Sequence, residues 1–293
     1  MPYINEISEI NESDKFIIYK ATGGFVHMMT GFMYTIEKCI IMNRILIIDF
    51  HGHPAFNRHF SDYFEITDNN LKYSENYDII PNTYISEEEL KIIKKSFIKY
   101  EKSGYTFNEK NISKIIDDNS DDNVIFFANY MGPKYYPSNN ILKIKDSIID
   151  RLKKTTIPSK KFISLHFRNT DKKNDINKFI NLLKKTIQET KINIVYLATD
   201  DYYAFDIIKK NLDNNIELLQ YCPPINNNGG NIHYGDKDKD RVIYNTLLDM
   251  YVILHSTYFI PSKNSGFSKF IMYMINEKNN NIFNIESNTI IYE

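Results

Sequence analysis

The chain has 293 residues, 42% apolar and 14% aromatic, which excludes intrinsic disorder and gives room for one large α/β domain or two of about 150 residues each. Its 36 basic and 37 acidic side chains leave a formal charge of −1, so no global field drives nonspecific binding to nucleic acid or to an anionic membrane. Cys39 and Cys222 stand far apart without a CxxC pair, which excludes a disulfide framework and a thiolate zinc site. The polar, acidic start MPYINEISEINESDKF does not read as a signal peptide, and no run reaches about 18 apolar residues. The expectation is a cytoplasmic chain without a membrane span.

In chain order, KFIIYKA (15–21) reads as a first strand, followed by TGGF and a helix from Val26 to Met42. RILIIDF (44–50) is a second strand, nearly all apolar, as a parallel strand covered on both faces is. SEEELKIIKKSFIKYEKS opens with Ser86 and three acidic residues, a helix start. NVIFFANY (123–130) reads as a strand and NNILKIKDSIIDRLKKT as a helix, broken at Ile157-Pro158-Ser159. That break divides the chain into domains 1–158 and 159–293. Beyond it come strand KFISLHFR, helix Ile176 to Thr190, strand NIVYLAT, helix Tyr202 to Leu212 and strand IELLQY. A polar loop, Cys222 to Asp240, precedes helix Arg241 to His255, strand TYFIPS and helix Ser265 to Asn276. Strand–helix alternation predicts right-handed crossovers and parallel sheets: an α/β chain of two Rossmann-like domains facing a cleft.

The chemistry concentrates at strand ends. In ISLHFRNTDK, Ile163, Leu165 and Phe167 share one face and Ser164, His166 and Arg168 the other. Arg168 thus falls at the C-terminal end of a buried strand, where open α/β sheets bind ligands. Its planar, permanent charge suits a diphosphate or, equally, a structural carboxylate. Asp200-Asp201 ends the next strand, where the pair holds a divalent cation or one of the two caps the following helix. Asp249 lies on a helix apolar almost all round and so needs a partner, either a guanine edge or an arginine. Ser262-Lys263-Asn264-Ser265-Gly266 opens the last helix, as an anion site or a plain cap. Gly23-Gly24 allows close backbone approach to a ligand or makes a simple turn, and is no GxGxxG fingerprint. His51 and His53 have metal-like spacing without a third ligand, and alternating lysines neutralise the acidic run 236–240.

These segments together resemble a known family. ISLHFRNTDK resembles the HxRRTDK-type motif of the α1,6-fucosyltransferases and nodulation fucosyltransferases, and VYLATDD their following strand. LLDMYVIL with SKNSGFSKF resembles their third motif, and GGFVHMM with NRILIIDFHGHPAFNRHFSDYFEI their N-terminal loop and second strand. The likeness covers about residues 15–65 and 160–275.

The resemblance implies a GT-B glycosyltransferase, a hexosyltransferase that moves fucose from GDP-fucose to a glycan or other hydroxyl acceptor with inversion and without a metal or resident cofactor. It implies Arg168 at the β-phosphate, and His166 and Asp249 at guanosine. Ser265 and Gly266 fall at the diphosphate, Asp200 and Asp201 on the donor side, and Gly23, Gly24 and His27 in a loop over the donor. Two positions depart: the second arginine is Asn169, and the α1,6 enzymes' carboxylate base falls on Ile176. Asp175 is the candidate base, with Asp171 behind it and Asp49 third. Transfer of another nucleotide-activated deoxysugar, and a non-catalytic nucleotide-sugar binding protein, are the alternatives.

Overall fold

The structure is a computed structural model that describes residues 10–51, 53, 56, 58–95, 99–101, 104–107, 110–111, 115–129, 131–136, 141–155, 157–169, 174–224, 238–277, 282–283, 287 and 289–291. The chain forms two compact units, Met1–Lys145 and Asp146–Glu293. The helix ahead of Ile157-Pro158-Ser159 therefore belongs to the second unit.

Unit 1 contains β1 (Phe16–Lys20), α1 (Phe25–Met42), β2 (Ile45–Asp49), β3 (Phe64–Ile66), β4 (Tyr73–Ser74) and α2 (Glu87–Lys95). It continues with β5 (Lys99–Glu101), β6 (Gly104–Phe107), β7 (Lys110–Asn111), β8 (Val124–Phe127) and β9 (Leu142–Ile144). A parallel sheet runs β4-β2-β1-β8. Every residue of β1 and β2 is buried, as their unbroken apolar runs require. Gly31 lets α1 lie close on this sheet, since a Cβ there would stand 2.3 Å from the Asn129 carbonyl oxygen.

Two expectations fail in this unit. The helix read from Ser86 stops at Lys95, and the segment after it forms the antiparallel β5-β6-β7. Tyr100, Tyr105, Thr106 and Phe107 are strand formers, so local preference overrides continuation of the helix. NNILKIKDSIIDRLKKT also splits. Leu142 and Ile144 alternate inward as β9, antiparallel to β3, before a helix starts at Asp146.

Unit 2 contains α3 (Asp146–Lys153), β10 (Ile163–Phe167), α4 (Ile176–Thr190), β11 (Ile194–Thr199) and α5 (Ala204–Asn211). After these come β12 (Glu217–Leu219), α6 (Lys239–Leu254), β13 (Tyr258–Ile260), α7 (Gly266–Asn276) and β14 (Ile290–Ile291). Its sheet is parallel throughout, in the order β12-β11-β10-β13-β14. Strand order reverses between β10 and β13, the place where doubly wound sheets bind ligands. The period of two sorts the faces as expected. Ile163, Leu165 and Phe167 pack with Leu183 of α4 and Ala204 and Ile208 of α5. On the other face Ser164 bonds Ser256 and His166 bonds Ser268. Among the described residues, no helix is long and apolar enough to cross a membrane.

Candidate active site

The site is best defined at the switch point of unit 2. Arg168 directly follows β10, and its Nε lies 3.0 Å from Asp200 Oδ2, just past β11. The other oxygen of Asp200 accepts the Asn169 backbone N–H at 2.7 Å. A carboxylate held at both oxygens fixes the plane of the guanidinium. Asn169 Nδ2 donates to Asp201 Oδ2 at 2.7 Å, while Asn169 Oδ1 accepts the Asn174 N–H at 3.1 Å. An amide thus ties the end of β10 to Asp201 and Asn174 at the position where the resemblance has a second arginine. Asp201 also accepts the Tyr203 N–H at 2.9 Å, an Asx turn into α5. The two aspartates divide as one arginine partner and one turn former.

Asn174 is the residue that sequence reasoning missed. Its Nδ2 donates to the Arg168 carbonyl and lies 3.3 Å from Ser262 Oγ, joining the end of β10 to the β13–α7 turn. No motif signals it, because a loop asparagine acquires this role only when two strands become neighbours. In that turn Ser265 is the N-cap of α7 and Gly266 its first residue; the Ser265 hydroxyl accepts the Ser268 N–H. Ser268 Oγ accepts the Ser262 N–H at 2.9 Å and lies 2.7 Å from His166 Nδ1. His166 is buried, and desolvation, with the nearby Arg168 charge, lowers its pKa to about 3, so the ring is neutral. The first turn of α7 contains no acidic residue, which leaves its N-terminal field positive beside Arg168.

Asp249 of α6 finds its partner within the unit. Tyr196 OH on β11 donates to Asp249 Oδ1 at 2.5 Å, and the Cys222 thiol, which donates to the Asn245 carbonyl at 3.5 Å, lies near this carboxylate. Burial outweighs these polar neighbours and raises the Asp249 pKa to about 7. Neither Tyr196 nor Cys222 was legible as its partner, since each comes from a different strand or loop.

The base candidates fare differently. Asp175 is exposed and caps α4, with Oδ1 accepting the Asn177 N–H at 3.0 Å. Asn174, its neighbour, keeps Asp175 close in the chain to the Arg168 strand end. Asp171 lies outside the described residues. Asp49 is buried in unit 1, its Oδ2 2.5 Å from both Lys20 Nζ and Tyr77 OH and its Oδ1 accepting the His51 N–H at 2.7 Å.

Unit 1 carries the glycine turn. Gly23 has φ +70°, and a Cβ there would meet His27 Nδ1 at 2.4 Å, so both backbone and space demand glycine. Gly24 has ordinary extended geometry, a Cβ there would meet nothing within 4 Å, and it starts α1 without a side-chain cap. The Thr22 hydroxyl beside the turn is buried without a hydrogen-bond partner among the described residues. His27 is exposed, while His53 is buried with Nδ1 accepting the Phe56 N–H. Among the described residues, no three His, Cys, Asp or Glu side chains are grouped to hold a metal ion. In the acidic run, Asp238 caps α6 through the Arg241 N–H.

The chain path recurs in solved structures. POFUT1 in complex with GDP-fucose matches 97% of this chain and 99% of its own, with TM-score 0.57 and 12% identity. NodZ alpha-1,6-fucosyltransferase soaked with GDP-fucose matches 88% of this chain and 91% of its own, with TM-score 0.51 and 14% identity. The fucosyltransferase NodZ from Bradyrhizobium matches 88% and 93%, with TM-score 0.51 and 17% identity. The fold is the GT-B fold of these fucosyltransferases. No family model matches the sequence, and no curated protein matches it. In the GT-B frame, β10, β11 and β13 are the strands whose C-terminal ends carry Arg168, Asp200 and the Ser262–Ser265 turn.

Proposed function

We propose that the chain is an inverting glycosyltransferase that moves a fucosyl group from GDP-fucose to a hydroxyl of a glycan acceptor. The observation that carries this reading is Arg168, oriented by Asp200 beside the α7 N-terminus at the switch point of a fold whose solved members include GDP-fucose complexes. Loss of GDP develops negative charge on the β-phosphate. Arg168 and the N–H groups of α7 stabilise that charge without a metal ion. His166, neutral, and Asp249 serve the guanosine. Guanine N1–H and its amine are donors, and a further donor pair at Asp249 favours its ionised form. Asp175 accepts the acceptor hydroxyl's proton, since its Oδ1 caps α4 and the group remains exposed.

The test is calorimetric titration of the intact chain with GDP, GDP-fucose, UDP and a UDP-sugar, followed by donor turnover in EDTA. The expected result is tighter binding of the guanosine compounds and turnover that survives chelation. Equal or tighter binding of uridine compounds removes the guanine assignment. Activity lost in EDTA and restored by Mg²⁺ or Mn²⁺ removes the metal-independent mechanism. Asp175→Asn keeps a good N-cap, so stability should hold while kcat falls about 10²–10⁴-fold. Full activity in that variant moves the base elsewhere.

A further inference from the structure

We infer that Tyr202, Tyr203 and Ile207 form a sugar-stacking subsite for the acceptor glycan, a deepening of the fucosyl-transfer reading on which it rests. These three side chains are 50%, 60% and 38% exposed and fall in one stretch directly after Asp201. The two rings meet edge to face, with centroids 5.2 Å apart. Ile207 lies one helical turn beyond Tyr203, its N–H bonded to the Tyr203 carbonyl at 3.2 Å. Single exposed apolar side chains are ordinary, but such a group at the C-terminal edge of a ligand-binding sheet is not.

The mounting is rigid. The Asp201 N–H donates to Thr199 Oγ1 at 3.0 Å, and Asp201 in turn accepts the Tyr203 N–H at 2.9 Å and the Ala204 N–H at 3.2 Å. The same Asp201 carboxylate accepts Asn169 Nδ2, so the turn that presents the tyrosines also fixes the residue after Arg168. A fixed turn lowers the ordering cost of binding. α5 packs on the sheet face lined by Ile163, Leu165 and Phe167. His166 and the Tyr196–Asp249 pair belong to the opposite face. The nucleoside and the tyrosines are thereby separated, which leaves the tyrosine side for the second substrate.

The chemistry selects a saccharide. A pyranose presents an apolar face of C–H groups and a rim of hydroxyls, and tyrosine offers an apolar ring with a polar tip. Three side chains are far below the roughly 800 Å² per partner that a stable protein interface needs, which disfavours a second copy.

The experiment is saturation-transfer NMR of the intact chain, with and without GDP, using β1,4-linked N-acetylglucosamine oligomers and mannose oligomers as probes. Wild type and the Tyr202→Ala/Tyr203→Ala variant are compared, with Tyr202→Phe/Tyr203→Phe as the stacking control. The expected result is binding of an oligosaccharide by wild type, weakened about tenfold or more in the alanine variant and kept in the phenylalanine variant, with GDP affinity unchanged. Equal oligosaccharide affinity in wild type and the alanine variant overturns the subsite while leaving the donor reading intact. So does a wild type that binds GDP but no probe, or a dimer that the alanine variant dissolves. Oligosaccharide binding through the tyrosines with no affinity for GDP keeps the sugar site and removes the donor reading.

Discussion

Both units place a cation at the end of their first strand and pair it with an aspartate at the end of their second, yet the two pairs are built to opposite ends. In unit 1, Lys20 Nζ lies 2.5 Å from Asp49 Oδ2, with the side chains only 4% and 2% exposed. Tyr77 OH caps the same carboxylate oxygen, and the Ile93 carbonyl accepts the ammonium at 3.2 Å. In unit 2, Arg168 and Asp200 are 21% and 6% exposed at 3.0 Å. Lysine is a point charge, and here its donors are spent inward. Arginine offers a fork, so one edge can hold a structural carboxylate while the rest meets an anion. The lesson is that an ion pair at a sheet's C-terminal edge marks a site only when the cation stays accessible.

The largest expected effect breaks the closed pair. Lys20→Met leaves Asp49 buried without its counter-charge and should cost about 3–5 kcal/mol in urea denaturation. Lys20→Met with Asp49→Leu should recover most of that loss, because removing both charges removes the desolvation cost as well. The next effect concerns the open pair. Arg168→Ala should abolish transfer and weaken GDP binding by about 1.5–3 kcal/mol, the worth of a charge-assisted bond. Its cost in stability should be well below that of Lys20→Met, since water reaches the arginine. Equal destabilisation by the two substitutions, with GDP affinity intact in Arg168→Ala, would erase the distinction between the pairs.

What the sequence made legible follows the same division. Long apolar strands and periodic helices announce themselves, which is why α4, read from Ile176 to Thr190, is found over those residues. Arg168 was legible because alternation along a buried strand places its last residue at the edge. The short antiparallel strands β5, β6, β7 and β9 were not, since two to four residues of mixed composition carry no measurable period. The partners that give the site its shape were hidden for another reason. Asn174 meets Ser262, and Asp249 meets Tyr196 and Cys222, across sequence distances that only the strand order β11-β10-β13 closes. Asp200 and Asp201 show the limit clearly. The pair was visible, but which one turns the chain and which one holds the arginine depends on side-chain direction.

The smallest expected effect is a difference in acid sensitivity, and it also separates the units. Among the described residues, two groups of unit 2 carry shifts that reach the range between pH 3 and 7, His166 lowered to about 3 and Asp249 raised to about 7. Their signs oppose. An unfolded histidine takes a proton below about pH 6.5 while the buried His166 refuses it, so its contribution to stability is lost as pH falls from there to about 3. An unfolded aspartate ionises above about pH 3.9 while Asp249 holds its proton to about 7, so its contribution is lost as pH rises through that window. Each slope is at most about 1.4 kcal/mol per pH unit, and between about pH 4 and 6.5 the two nearly cancel. Hydrogen exchange, corrected for intrinsic rates and read separately on peptides from each unit, should therefore show little pH dependence from this pair in wild type. Asp249→Asn should uncover the histidine slope, with unit 2 protection rising from about pH 4 to 6.5. His166→Gln should uncover the reverse slope, with protection falling over the same interval. Unit 1 peptides should follow neither change. Parallel slopes in both variants, or equal slopes in the two units, would mean that the burial of Asp249 and His166 does not set these proton affinities.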